Sequence, residues 1–151
     1  MTVQLLRALH VLGIVLWLGT GLGHPVIADI RRTLALGPEH LAPLIARLRT
    51  TTRIVLPAAV VAVATGFALV FLRGGFSAVP PRIHVGLALA LGVFVVGGGF
   101  TSRAMLILAN SADREARERA ALRIAIGLRI EDALRFSALL LMLVPIEVWL
   151  F

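Results

Sequence analysis

The chain has 151 residues, 59% of them hydrophobic and 15% charged, with a formal net charge of +7, and its mean hydropathy is +0.96. Soluble domains are about 45–50% apolar and about 25% charged, so this composition excludes an ordinary soluble protein and points to a single integral-membrane domain over residues 1–151. There is no cysteine and all fifteen basic residues are arginine, which removes disulfides, thiolate metal sites, cysteine nucleophiles and lysine Schiff bases.

Four apolar stretches, 3–28, 53–73, 82–108 and 131–151, are long enough to cross a hydrocarbon core, which takes about 20 helical residues. The expected fold is all-α: an up-down-up-down four-transmembrane-helix bundle with short amphipathic cytoplasmic extensions. The first stretch contains "LRALHVLGIVLWLGTGLGH", too long for a signal peptide and with no cleavage pattern after it. Its residues His10, Gly13, Trp17, Gly21 and His24 recur at intervals of three and four, which puts them on one helix face. Gly19 and Gly23 add small-residue positions suited to close helix packing or to contact with a second copy.

The connection 29–52 begins polar and restarts at Gly37-Pro38-Glu39, with proline at a helix-initiating position, and a short surface helix is expected from Leu41. His40 within it carries no signal. In the second span Pro57 predicts a kink, and Thr65 is placed to satisfy a freed carbonyl. "RGGFSAVPPR" reads as a short external turn. The third span presents His84, Ala88, Gly92 and Val95 on one face, followed by the bendable run Gly97-Gly98-Gly99, and close helix packing is expected at Gly21 and Gly98. The connection 109–130, with Asn110, Ser111 and Asp113 as capping candidates, reads as a solvated amphipathic extension of the fourth span. That last span carries Glu147, expected to pair with Arg7 or Arg82, and Trp149, an interfacial anchor.

Arginine placement sets the expected orientation. Twelve arginines, Arg135 among them, fall on the side of the two long connections, against Arg7, Arg73 and Arg82 on the other. This bias puts 29–52 and 109–130 in the cytoplasm and both termini outside, in a bacterial inner membrane. Orientation in the lipid bilayer then explains the basic charge, and nucleic acid is not needed as a partner.

On this course His10 and His84 descend from the same external face, to depths of about 10 Å and 5 Å at about 1.5 Å per residue. An ionisable side chain inside an apolar span needs compensation. One expectation is haem b, with His10 and His84 as axial ligands. Small residues such as Gly13 and Ala88 then leave room for the macrocycle, Trp17 stacks on it, and Arg7 and Arg82 meet its propionates. Such a site near the external face serves electron transfer or haem handling with a redox partner. The alternative is an accessory or scaffold protein whose histidines hydrogen-bond across helices.

The segments "LRALHVLGIVLWLGTGLGHP", "LPAAVVAVATGFALV" and "RIEDALRFSALLLMLVP" resemble a group of small bacterial four-span membrane proteins carrying a domain-of-unknown-function label. The opening "LHVLGIVLWLG" is also similar to the first span of copper-resistance D-type proteins and of HemJ-type protoporphyrinogen oxidases. The latter resemblance implies a functional first-span histidine, matched by His10, working with a lysine in a later span. This chain has no lysine, and its three methionines, Met1, Met105 and Met142, are too dispersed for a copper path.

Overall fold

The computed structural model describes residues 2–20 and 22–143, the side chains of Thr2, His24 and Pro38 excepted. These residues form helices and turns without a strand: α1 (Thr2–Thr20), α2 (Gly23–Leu36), α3 (Leu41–Leu72), α4 (Pro81–Val95), α5 (Ser102–Asn110) and α6 (Arg114–Leu143). A π-helical segment, Val96–Thr101, joins α4 to α5. Three runs, Val3–Leu36, Leu41–Leu72 and Pro81–Asn110, are long and apolar enough to cross a membrane. The expected fourth span is helical through Leu143; Gly21, Glu147, Trp149 and the His24 side chain lie outside the described residues.

The first apolar stretch is two helices, divided between Thr20 and Gly23. The start of α2 is met by a residue from far along the chain: the Asp132 carboxylate on α6 accepts the Gly23 N–H at 2.9 and 3.2 Å. It satisfies one of the amide groups that a helix start leaves unpaired. At the other end of α2, Gly37 takes φ 128°, a left-handed value that favours glycine. A single 3-10 turn, Pro38–His40, then leads directly into α3. The short surface helix expected from Leu41 is therefore the opening of one helix of 32 residues. Pro57 lies inside it, and the Thr65 hydroxyl donates to Val61 O at 2.6 Å rather than serving the carbonyl that Pro57 frees.

The extension 109–130 is not merely solvated. Ala120, Ala121, Ile124 and Leu128 of α6 pack with Ile30 and Leu108 in a core at the arginine-rich end. Its alanines let α6 lie close to its neighbours, while Arg114–Glu118 and Arg119–Glu115 pairs occupy the exposed face. A second core holds Trp17, Ala58, Ala59, Ala62, Ala90 and Val93, and a third holds Val70, Val79 and Leu87 beside the α3–α4 turn.

Helices α1 and α3 approach closely at Gly13. A Cβ on Gly13 would lie 2.9 Å from the Ala62 backbone nitrogen and 3.1 Å from Ala58 O. The expectation of close packing fails at Gly98, where a Cβ would meet nothing within 4 Å. The π segment turns that position toward open space. Gly98→Leu should therefore shift the melting temperature in detergent by no more than about 2 °C, the scale of a neutral surface change. A drop of 5 °C or more would mean that Gly98 is packed.

Candidate functional site

His10 is half-buried on α1, and its Nδ1 donates to Ala62 O of α3 at 2.8 Å, with Thr65 Oγ1 at 3.2 Å. A carbonyl can only accept, so Nδ1 carries the proton and Nε2 is the ring's acceptor. The free-energy cost of a histidine in this span is thus offset by a bond between helices. His84 makes a different local contact: Nε2 donates to Phe76 O at 2.9 Å, and the ring stacks on Phe76 with centroids 5.5 Å apart. It ties the start of α4 to the preceding turn. His10→Ala should cost about 1 kcal/mol, the usual worth of one hydrogen bond, and His10→Asn should recover part of it in a denaturation titration.

The small cavity beside His10 has a volume of about 40 Å³ and is lined by Trp17, Leu87, Ala90, Arg135 and Met142 among others, with His84 not among them. That volume suits about one water molecule, whereas ligand pockets span about 300–1,000 Å³. Gly13 is covered by the α3 backbone, Ala88 is exposed on α4, Arg7 is exposed on α1 and Arg82 is half-buried. His10 and His84 each have a local hydrogen-bond partner, Ala62 O and Phe76 O. Among the described residues no group of three or more His, Asp or Glu could hold a metal ion.

A second polar locus was not anticipated. Glu131 and Arg135, one turn apart on α6, are each only 5% exposed. Arg135 Nη2 donates to Glu131 Oε2 at 2.7 Å and Nη1 to Asp132 Oδ1 at 3.3 Å, while its guanidinium lies 5.8 Å from the Trp17 ring centroid. Thr101, at the end of the π segment, donates to Glu131 Oε1 at 2.6 Å. Three neighbouring elements therefore meet α6 at one cluster: α2 through the Gly23 N–H, the π segment through the Thr101 hydroxyl, and α1 through the Trp17 ring beside the Arg135 guanidinium. Arg135 is a residue of the bundle interior and not of the basic surface, because Glu131 and Asp132 hold it there. The sequence did carry the signal: "EDALR" places an acid and a base four apart at the start of an apolar run.

Beside this cluster runs a cleft of about 630 Å³. One wall is α3 from Ile45 to Ala59; the opposite wall runs from Val93 through the π segment to Ala109; Trp17, Leu128, Glu131 and Arg135 contribute from α1 and α6. At about 1.5 Å per residue each wall is about 20 Å long. The lining is mainly apolar, with Val55 and Leu56 on the α3 wall and Phe94 and Met105 on the same wall as Gly97 and Gly98. Those two glycines leave the space between the walls unfilled. Arg49 and Arg53, one turn apart on α3, also line the cleft and are exposed. The hydroxyls of Thr51 and Thr52 donate to the carbonyls of Arg47 and Leu48 in their own helix. The arrangement offers an apolar channel of ligand size with guanidiniums at one end and a buried ion pair along its side.

No protein-family model, curated protein or solved structure matches the chain.

Proposed function

We propose that the protein is a membrane-embedded, non-catalytic binding protein that takes an amphiphile from the bilayer. Its apolar chain lies between α3 and the α4–α5 run, and its polar end sits at Arg49 and Arg53. The observation that carries this reading is the apolar cleft of about 630 Å³, within the range of ligand sites. Lipid tails are as apolar as the cleft walls, so chain burial gives little driving force by itself. Shape and the charged end must supply the affinity. The arginine-rich end is read as cytoplasmic, which opens the cleft toward the inner leaflet of a bacterial inner membrane, with 131–151 completing a fourth span.

Native mass spectrometry of protein released from its own membranes tests this. The wild type should carry an adduct of lipid mass, and Gly98→Phe, at a cleft-lining position where an added Cβ meets nothing within 4 Å, should lose at least about 90% of it at unchanged melting temperature. Equal adducts in both proteins would sink the proposal.

A b-type haem protein is the second reading, and one observation favours it. His10 gives its Nδ1 proton to Ala62 O, the tautomer that metal-bound imidazoles commonly adopt. A reduced-minus-oxidised spectrum of membranes from haem-replete cells separates the two. The amphiphile reading expects no Soret band; a band that disappears in His10→Ala would restore haem.

A further inference from the structure

We infer that the cleft selects an anionic phospholipid through Arg49 and Arg53, an inference that rests on the cleft being an amphiphile site. Both guanidiniums line the cleft, and among the described residues neither has an ion-pair partner. Three exposed arginines are neutralised locally, Arg47 by Asp29, Arg114 by Glu118 and Arg119 by Glu115; what sets Arg49 and Arg53 apart from other exposed arginines such as Arg31 and Arg32 is their place on the cleft wall. The acidic residue lining the cleft, Glu131, has one oxygen held by Thr101 and the other by Arg135. It is not available to neutralise Arg49 or Arg53.

The donors at this end are therefore the guanidiniums themselves, because the Thr51 and Thr52 hydroxyls donate within α3. A guanidinium presents a planar fork that matches two phosphate oxygens. A phosphodiester with no compensating amine satisfies the two positive charges, whereas a zwitterionic headgroup brings a cation of its own against them. A basic side chain near a membrane surface contributes about fivefold to the binding of anionic lipid, so two of them, whose factors multiply, set an expected preference of about 25-fold. The apolar walls hold the chains, and the pair of arginines reads the headgroup.

Trp17 provides the reporter, since it lines the cleft and the only other tryptophan is Trp149. Trp149→Phe protein would be reconstituted in phosphatidylcholine vesicles containing increasing amounts of brominated phosphatidylglycerol or, separately, brominated phosphatidylcholine. Half-maximal quenching of Trp17 should need about 25-fold less of the anionic lipid. Arg49→Gln/Arg53→Gln should bring the two curves within about twofold, while Arg31→Gln/Arg32→Gln, on the exposed surface of α2, should leave them apart. Coincident curves in the unmodified rim would overturn headgroup selection and leave the amphiphile reading standing. A preference that survives Arg49→Gln/Arg53→Gln would also overturn it, assigning the effect to the general basic surface. Quenching by both lipids that is no greater than in a Gly98→Phe protein would instead sink the amphiphile reading itself.

Discussion

Arg135→Leu should destabilise the protein by about 3–5 kcal/mol in a denaturant titration from mild detergent, the usual cost of removing one partner from a buried ion pair. The loss is large because Glu131 would stay buried, 5% exposed, with its Oε2 deprived of the guanidinium 2.7 Å away. Asp132 would lose its contact with Nη1 as well. Part of the cost is a charge left without compensation, not a missing attraction. Glu131→Leu/Arg135→Met should accordingly recover most of the stability, since replacing both members of a buried pair with apolar groups of similar volume is often neutral. A double variant as unstable as Arg135→Leu would show that the geometry of the cluster, and not its charge balance, holds α6 in place.

Gly13→Leu should be the next most damaging change, at about 3 kcal/mol, the upper end of overpacking costs. The atoms a Cβ would meet, Ala62 N at 2.9 Å and Ala58 O at 3.1 Å, belong to the α3 backbone. They cannot turn aside as the end of a side chain could, so α1 and α3 must separate. Separation also breaks the His10–Ala62 bond, because the two contacts share residue 62. Gly13→Leu combined with His10→Ala should therefore cost less than the sum of the single changes, a coupling expected of neighbours. Additive losses would place His10 and Gly13 in independent contacts.

The helical nature of the chain and its long apolar runs were legible because hydrophobicity and helix length are local properties. Features that depend on distant residues were not. The cap on the start of α2 at Gly23 comes from Asp132, 109 residues away in sequence. The glycines Gly97 to Gly99 read as a bendable place, but the π geometry that carries Thr101 to Glu131 has no sequence signature of its own. At His10 the need for compensation was legible and the compensating atom was not, since every residue carries a carbonyl. The alanines of α6 read as part of a solvated helix, yet Ala120 is 1% exposed; small side chains bury well when a neighbouring helix is available to cover them. A count of arginines by side does not distinguish Arg135 from its neighbours, because its burial depends on Glu131 and Asp132 lying within reach on the same helix.

Photocrosslinking within native membranes tests the cleft most directly. A phospholipid with a diazirine on its acyl chain would be activated in place, and the adducts mapped by peptide mass spectrometry. Adducts should concentrate on cleft-wall residues such as Val55, Phe94 and Met105 and disappear from them in Gly98→Phe. Adducts confined to outward-facing residues such as Val60, Phe71 and Val95, with the cleft walls unlabelled, would contradict lipid uptake between α3 and the α4–α5 run.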